Sequence, residues 1–548
     1  AQVRRARARA KSGARNMSQL LLAVLVTGVA TASAAKSTTC LSNGKGGTCK
    51  EAPELETGSY YWPMTRGPVG SSGTSPYAGP LNVSKSLAWS WTPSSPTLCV
   101  GGALIDGSKN LYVQWYEGIR KFSPDGQVLW SNLDIKTSDV PAIMDGGVFA
   151  NSRDGEVVKL SMEDGHLVWK TKIGDSEGGD IGSIGAYKGI ILTNSDGVGF
   201  DGGNRRVTAL NATDGKFMWD FHSEHQLWNF LPVYTDTNSF VFQDQIGTAY
   251  HMTLDGKLLW KAGYLDAGFN ATWTDGGTML GPNGVVYTVH ADAPLSGLHP
   301  LETGNLIAYR LSDGKQLWKH EFPYPPNSWP VVGRMQEDGD LLVIMPIGAQ
   351  PAIPGQYIIG ATSVIVGAVS LTIGLIIWAI FRLCICRCSV INVLFCVIAL
   401  TAIACWKVMN APKIPPVVWA TGFPSDVLAF NAETGKLQWH WAPPVWWHRA
   451  VAGDMEGFFP RIRAGVQPVC IPNPWGSPSL DANGIIYLAH LNGNVYTIAD
   501  LNNDSDIDPA TEVSSYATPS AFGHPGASLA PGMMAMVSCD TLYVFKDQ

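Results

Sequence analysis

The sequence is poor in charged residues. Only 15% of its 548 residues are Asp, Glu, Lys or Arg, and the formal net charge is −7. Binding to nucleic acid needs a basic surface, which this balance does not supply, so we exclude a general nucleic-acid partner. The chain also has no long acidic tail. Hydrophobic residues make up 45% of the sequence, which is enough for a large core.

One short phrase recurs along the chain: a turn pair ending in Gly, followed four residues later by Trp. The first five glycines are 39 to 58 residues apart. The six copies are Asp125-Gly126 to Trp130, Asp164-Gly165 to Trp169, Asp214-Gly215 to Trp219, Asp255-Gly256 to Trp260, Asp313-Gly314 to Trp318, and Thr434-Gly435 to Trp439.

Each copy predicts the same local structure. Gly tolerates positive φ and Asp can hydrogen-bond its own backbone, so Asp-Gly favours a tight turn. An alternating strand such as residues 157–160 precedes the turn, and the strand that follows it ends in Trp. Trp is large enough to wedge between neighbouring sheets. A period of about 40–50 residues with four short strands per unit is typical of a β-propeller.

The two ends of the chain complete the count. A seventh unit covers residues 476–498, and residues 533–537 and 541–545 predict two further strands. Residues 86–91 form a Trp-type strand with no partners before it. Pairing the two ends would build an eighth blade and remove the exposed sheet edge. We therefore predict an all-β, eight-bladed β-propeller closed by N- and C-terminal strands, with seven blades as the alternative.

The repeat resembles that of the pyrroloquinoline-quinone (PQQ)-type propellers. Residues 61–67, Tyr-Trp-Pro-Met-Thr-Arg-Gly, and residues 431–439 carry the resemblance, which covers about residues 60–347 and 417–548. That family includes bacterial quinoprotein alcohol dehydrogenases and the propeller lipoprotein of the outer-membrane barrel-assembly machine. The resemblance identifies a scaffold and does not identify an activity.

The resemblance implies PQQ chemistry only in part. The family's dehydrogenases use a stacking Trp, a general-base Asp and a calcium ion beside the quinone, and many have two adjacent cysteines. This sequence has no Cys-Cys pair. The base and the calcium ligands cannot be placed residue by residue. We therefore assign no catalytic residue and no cofactor-binding residue, and PQQ is not favoured.

The N-terminal region has the features of a targeting sequence. Residues 1–16 are basic, and residues 20–30 form an apolar run followed by Ala32-Ser33-Ala34. We interpret residues 1–34 as a basic extension and a signal peptide, followed by an exported linker at residues 35–59. A membrane anchor is the alternative, although the run is short for one. The exported parts contain Cys40, Cys49, Cys99, Cys470 and Cys539, an odd number that leaves one cysteine over.

A long apolar segment interrupts the repeats. Residues 357–381 and 389–408 are nearly all apolar, with Arg382 and Arg387 between or beside them. Their length and the two arginines predict a transmembrane helical hairpin at residues 357–408; a buried pair of core helices is the alternative. The propeller would then comprise residues 60–356 and 409–548. We expect a multi-pass membrane protein with its propeller on the extracellular or luminal side.

One acidic segment is a candidate calcium site. Oxygen-bearing side chains stand at alternate positions of residues 500–508: Asp500, Asn502, Asp504, Asp506 and Asp508. This spacing suits a hard cation such as Ca²⁺, in a structural role. Ser505 stands where such a loop usually has Gly, and Glu512 comes one position late. The segment would replace the Asp-Gly turn of the seventh blade. A solvated acidic turn is the alternative.

Two further constellations are weaker. His222 and His225, with Glu224 between them, could bind a metal but are more typical of an exposed pair. An aromatic and basic loop at residues 446–449 and 458–463 suits a lipid interface, a lid or plain packing.

These observations predict a membrane-tethered, exported propeller that acts as a non-catalytic scaffold for protein partners. The first alternative is a PQQ-dependent, membrane-linked alcohol or sugar dehydrogenase. The second is a carbohydrate-binding surface protein, because Trp-rich funnels can stack on sugars. The sequence does not identify a small-molecule substrate.

Overall fold

Nine short sheets account for all the strands of the described structure. The computed structural model describes residues 38–40, 49–51, 54–70, 73–99, 101–175, 184–194, 204–266, 272–292, 303–349, 422–448, 450–470 and 473–547. The first sheet is a two-stranded ribbon of β1 (Thr38–Cys40) and β2 (Cys49–Glu51). The other eight sheets have four strands each.

Each four-stranded sheet is an antiparallel blade, and the first four blades are consecutive in the chain. Blade 1 comprises β4–β7: Leu104–Ile105, Leu111–Trp115, Gly118–Phe122 and Val128–Asn132. Blade 2 comprises β8–β11: Ala142–Met144, Gly147–Asn151, Glu156–Ser161 and Leu167–Lys172. Blade 3 comprises β12–β15: Gly185–Tyr187, Ile190–Asn194, Arg206–Asn211 and Phe217–His222. Blade 4 comprises β16–β19: Val233–Tyr234, Ser239–Gln243, Ala249–Thr253 and Leu258–Ala262.

The remaining blades complete a ring. Blade 5 comprises β20–β23: Met279–Leu280, Val285–Ala291, Gly304–Arg310 and Gln316–Phe322. Blade 6 comprises β24–β27: Val331–Gly333, Leu342–Gly348, Ser425–Asn431 and Leu437–Trp441. Blade 7 comprises β28–β31: Ser479–Leu480, Ile486–Ala489, Asn494–Ile498 and Val513–Ala517. Blade 8 joins both ends of the chain through β32–β34 and β3: Ser528–Ala530, Met533–Val537, Leu542–Lys546 and Leu87–Trp91.

The predicted all-β, eight-bladed propeller is confirmed, including its closure. Strand β3 pairs with β34 as the outer strand of blade 8, with Trp91 opposite Leu542. Within blade 6, β25 pairs with β26 from Gly348 opposite Ser425, so the 76 residues between those two positions interrupt a single β-hairpin. The seven-bladed alternative is wrong.

The blades define two faces of the ring. In each blade the first strand is the inner strand and the fourth is the outer strand. Because the strands alternate in direction, the turns after the first and third strands lie on one face, which we call the turn face. The hairpin loop of blade 6 and the connections between blades lie on the opposite face, which we call the insertion face.

In blades 1–5 and in blade 8, a Trp of the outer strand joins the blade to the next one. Its Nε1 donates a hydrogen bond to a main-chain carbonyl of the following blade, at 2.7 to 3.2 Å. Its ring lies against the turn glycine of that blade: an added Cβ on Gly165 would come within 2.5 Å of Trp130. Gly at this position therefore meets two requirements, a positive φ of 74° and the close approach of the ring.

The helical content corrects one prediction. Within the described ranges the structure has one helix, α1 (Asp454–Arg463), and no helix there is long and apolar enough to cross a bilayer. On this finding the predicted multi-pass membrane localisation is wrong and is withdrawn. The predicted hairpin at residues 357–408 and the signal peptide at residues 1–34 lie outside the described residues. The predicted domain boundaries stay predictions.

Candidate functional site

A set of exposed apolar side chains lies on the rim of the turn face. In blades 1–6 the outer strand begins with two residues directly before the Trp, and one further residue separates them from the turn glycine. In blades 1–4 both residues are apolar, and each is 40 to 58% exposed. We call this set the rim arc: Val128, Leu129, Leu167, Val168, Phe217, Met218, Leu258 and Leu259.

The rim arc does not extend around the whole ring. In blades 5 and 6 one residue of each pair is Gln, at Gln316 and Gln438, beside Leu317 and Leu437. The outer strand is the free edge of its blade, so its first residues face solvent while the Trp after them packs on the neighbouring blade. The apolar pairs are visible in the sequence, but their exposure becomes visible only when the outer strand is known.

A second apolar surface lies on the insertion face, around helix α1. Residues 442–478 connect blades 6 and 7 and contain the helix. Four of their apolar side chains are exposed, and we call them the α1 patch: Val445, Trp447, Phe459 and Ile462. The predicted aromatic and basic loop is therefore partly buried and partly exposed. Phe458 is buried, whereas Phe459, whose ring meets the Phe458 ring edge-on at 5.3 Å, is 54% exposed.

Helix α1 is held firmly on the ring. Arg461 Nη1 donates to Asp454 Oδ1 at 2.7 Å, and both side chains are almost fully buried. Both oxygens of Asp454 also accept the main-chain N–H of Cys470, at 2.9 and 3.1 Å. Cys470 forms a disulfide bond with Cys539, which lies in the hairpin between the second and third strands of blade 8. Cys99 is a free, buried cysteine.

The predicted calcium segment forms the connection between β30 and β31, where it replaces the Asp-Gly turn of blade 7 as expected. Its carboxylates hold their own backbone. Asp500 accepts the N–H groups of Asp504 and Ser505, both at 3.2 Å. Glu512 accepts the N–H of Leu501 at 2.7 Å and of Asp508 at 2.9 Å. The late position of Glu512 thus fits a turn-closing role, which the sequence analysis missed.

The fit of this segment to a metal is incomplete. Among the described residues, no three His, Cys, Asp or Glu side chains converge as metal ligands. Burial raises the pKa of Asp500, which disfavours its charged form. Ser505, with φ of 62°, does adopt the left-handed conformation that Gly usually supplies in a calcium loop. A Ca²⁺ ion held by Asp500, Asn502, Asp504, Asp506 and Asp508 stays a prediction.

The second candidate metal site, formed by His222, Glu224 and His225, makes contacts with other protein groups. Glu224 forms an ion pair with Lys261. His225 Nε2 lies 3.2 Å from the carbonyl oxygen of Leu265. His222 is exposed at the end of β15. These contacts favour the interpretation without a metal, with His222 exposed and His225 half-buried.

Residues before the first blade pair with two inner strands of the ring. Trp62 bridges to Ile105, the last residue of an inner strand, with hydrogen bonds of 2.9 and 3.0 Å. Thr74 forms a parallel bridge to Leu480, the last residue of another inner strand: the Ser75 N–H donates to the Leu480 carbonyl at 2.8 Å, and the Leu480 N–H donates to the Gly73 carbonyl at 3.0 Å. Both contacts lie at the turn-face ends of inner strands.

Arg66 attaches the same N-terminal region to three blades. Its guanidinium donates to the carbonyl oxygens of Pro478 at 2.7 Å, Pro330 at 3.2 Å and Pro525 at 3.4 Å. These prolines precede the inner strands of blades 7, 6 and 8. Burial lowers the pKa of Arg66 to about 9. The sequence analysis used Arg66 only as part of the family resemblance and gave it no role.

The channel was also compared with the needs of a quinone cofactor. The cavity beside Arg66 has a volume of about 20 Å³, which is room for one water molecule. This cavity does not fit a tricyclic quinone. Farther toward the insertion face, Asn473 Nδ2 lies 2.6 Å from His524 Nδ1, and burial lowers the pKa of His524 to about 3.

Comparison with known proteins agrees with this fold. Residues 117–272 match the model of a family described as outer membrane protein assembly factor BamB. A search of curated protein sequences found no match. Many solved structures resemble the chain, and three of them, each at no more than 12% identity, are described below.

The solved structures cover most of the chain. BamB from Moraxella catarrhalis is 12% identical, covers 84% of this chain and 99% of its own, and has a TM-score of 0.47. Quinohemoprotein alcohol dehydrogenase from Comamonas testosteroni is 11% identical, with 88% and 80% covered and a TM-score of 0.53. A europium-containing methanol dehydrogenase is 12% identical, with 90% and 99% covered and a TM-score of 0.54. At these identities the similarity of the two dehydrogenases shows the fold alone. The repeat, the family match over residues 117–272 and the fold together confirm the resemblance to the PQQ-like β-propellers.

Proposed function

We propose that this protein is a non-catalytic scaffold that binds protein partners through the rim arc. The observation that carries the proposal is the repetition of exposed apolar pairs at one position of four consecutive blades. Single exposed apolar residues are common, whereas contiguous apolar patches mark interaction surfaces, and we propose that the repeated pairs act together as one.

The rim arc is suited to binding because it is rigid. The outer strands of blades 1–4 are joined to the following blades by the hydrogen bonds of Trp130, Trp169, Trp219 and Trp260. A partner would therefore lose little free energy in ordering this surface. Completing the burial of a half-exposed Leu side chain would contribute about 1 kcal/mol.

The family match supports the same proposal. The matched family is described as an outer membrane protein assembly factor, which is a role carried out through protein partners. The match covers residues 117–272, and these residues include the rim arc from Val128 to Leu259.

A comparison of matched charge substitutions tests the proposal. The pair Val168→Lys and Met218→Lys places two charges within the rim arc, whereas Leu437→Lys changes an equally exposed residue of the repeat in blade 6. Affinity purification of the tagged full-length chain, followed by mass spectrometry, should identify partners that wild type and Leu437→Lys both retain. The double variant should lose them, and Kd values for the purified partner should rise about tenfold or more. Equal retention by both variants would show that the rim arc is not the binding surface.

The PQQ-dependent dehydrogenase stays the alternative prediction, because two structures with the same fold are dehydrogenases of that class. Titration of the purified chain with PQQ distinguishes the two functions. Tight binding together with dye reduction by alcohols or sugars would replace the scaffold proposal. Carbohydrate binding also stays a prediction, and a glycan array tests it.

A further inference from the structure

A tripeptide on the turn face has the pattern of an acceptor for an N-linked sugar. Residues 82–84, Asn-Val-Ser, match the sequence Asn-x-Ser/Thr with a middle residue other than Pro. They form a turn directly before β3, against the turn-face ends of two strands of blade 7. The Val83 N–H donates to Ser514 Oγ at 3.2 Å. Thr497 Oγ1 donates to the carbonyl oxygen of Leu81 at 3.1 Å.

The turn presents its two polar side chains to solvent. Val83 is fully buried, whereas Asn82 and Ser84 are exposed. Asn82 Oδ1 accepts the main-chain N–H of Ser84 at 3.0 Å and the Ser84 hydroxyl at 2.6 Å. Asn82 Nδ2, the atom that carries the sugar in an N-linked glycan, has no hydrogen-bond partner within the described ranges. A glycan at this atom therefore breaks no hydrogen bond of the folded turn.

The other matches to this pattern have less favourable surroundings. Asn211 is half-buried and is the last residue of β14, where it pairs with Ile190 of the preceding strand. Asn503 is exposed, but it lies in the acidic segment 500–508. The carboxylates of that segment repel a sugar donor whose leaving group is a pyrophosphate. Asn270 lies outside the described residues.

The order of synthesis also favours Asn82. The two contacts that hold its turn on blade 7 join residues 431 and 416 positions apart in the chain. The turn therefore packs on the ring only when the chain is almost complete, about 20–90 s later at roughly 5–20 residues per second. During this time the tripeptide is accessible to a transferase. Asn211, in contrast, pairs with a strand that is already made when it leaves the ribosome.

The disulfide bond indicates the compartment that this modification requires. Cys470 and Cys539 are joined in the folded chain. Structural disulfides persist in oxidising compartments such as the lumen of the endoplasmic reticulum and are rare in the cytosol. Asn-x-Ser/Thr acceptors receive their sugars in secreted proteins, which pass through the same compartment.

We propose that Asn82 carries an N-linked glycan. The donor is an oligosaccharide joined to a lipid through pyrophosphate. The reaction forms a bond between Asn82 Nδ2 and the anomeric carbon of the sugar, and it breaks the bond between that carbon and the pyrophosphate. One amide proton of Asn82 is released as the lipid pyrophosphate leaves. The glycan stands beside blade 7, outside the rim arc of blades 1–4, so this inference is independent of the proposed function.

Mass spectrometry of the full-length chain, isolated from the cells that produce it, tests the inference. Peptide-N-glycosidase F in water enriched in heavy oxygen converts each glycosylated Asn into a labelled Asp. The tryptic peptide that contains Asn82 should carry the label, and a sample without the enzyme should not. The bond between Cys470 and Cys539 is measured in the same sample under non-reducing conditions.

Three variants made in the same cells test whether the tripeptide directs the modification. Asn82→Gln and Ser84→Ala should lose the label, whereas Ser84→Thr should keep it because Thr also supplies a hydroxyl. The wild-type measurement needs no variant, so a folding failure of Asn82→Gln leaves the test intact. An unlabelled Asn82 in wild type would overturn the inference, whether the two cysteines are joined or reduced. A label that persists in Ser84→Ala would overturn it as well.

Discussion

Substitution of the turn glycines offers a strict test of how the blades are joined. Gly165 and Gly146 belong to turns of the same blade and have nearly the same φ, 74° and 72°. A Cβ on Gly165 would lie 2.5 Å from Trp130 Cε3, whereas a Cβ on Gly146 would meet no atom within 4 Å. The variants Gly165→Ala and Gly146→Ala therefore share the free-energy cost of placing Ala at a positive φ. They differ only in the contact with Trp130.

The expected magnitudes follow from these two terms. An L-residue in the left-handed region costs roughly 1–2 kcal/mol, and both variants carry this cost. Gly165→Ala adds overpacking against a buried ring, at about 1–3 kcal/mol. If Trp130 moves away, its 3.1 Å hydrogen bond to the Met162 carbonyl is also lost, at about 0.5–1.5 kcal/mol. The difference between the two variants should thus be about 1–4 kcal/mol.

Thermal unfolding measures this difference. The unfolding entropy of a propeller of this size is on the order of 0.8 kcal/mol/K, so each kcal/mol lowers Tm by about 1 °C. Gly165→Ala should unfold about 1–4 °C below Gly146→Ala. The far-UV circular dichroism of both variants at 20 °C should match that of wild type, as a control for folding. If the two Tm values agree, the Trp–Gly contact does not join the blades.

Three other predictions concern single groups. Trp318→Phe should lower the free energy of unfolding by about 0.5–1.5 kcal/mol more than Trp439→Phe, as measured by thermal unfolding. The reason is that Trp318 Nε1 donates to the Ala432 carbonyl, while Trp439 Nε1 has no hydrogen-bond partner in the described parts of the chain. A larger loss in Trp439→Phe would contradict this prediction. Burial lowers the pKa of His524 to about 3, so the folded state prefers neutral imidazole, and the resulting stability is present above pH ~6.5 and lost as the pH falls toward 3. His524→Asn should flatten the Tm profile over that window, and an unchanged slope would count against the assignment. For the predicted calcium loop, millimolar Ca²⁺ should raise the Tm of wild type but not of Asp504→Asn, and no rise in wild type would remove the site.

The ring could be predicted because its information is local and periodic. The Asp-Gly turn and the Trp recur in register, and the unpaired strand at residues 86–91 required partners at the other end of the chain. The contacts of Arg66 could not be predicted, because they join residues 264 to 459 positions apart. Helix α1 was also missed, since its apolar residues are partly exposed and Pro460 interrupts the helical pattern.

Composition without geometry left parts of the candidate sites unseen and gave one wrong localisation. The alternating oxygens of residues 500–508 predict a cation, which stays a prediction, but they did not show that Asp500 and Glu512 accept main-chain N–H groups. The apolar interruption indicated a membrane protein, whereas no membrane-spanning helix occurs in the described ranges. The rim arc was overlooked because each apolar pair adjoins a buried Trp and looks like part of the core.

The closure of blade 8 has a consequence for biosynthesis. The outer strand of that blade, β3, leaves the ribosome before the other three strands of the blade. Its partner β34 begins only at Leu542. At translation rates of roughly 5–20 residues per second, β3 must wait about 20–90 s for its partner. During this interval the nascent chain has an open sheet edge at each end of the growing ring. We therefore expect two factors to decide whether newly made chains mature or aggregate. One is the binding of a chaperone to β3, and the other is a pause in translation before the last hairpin.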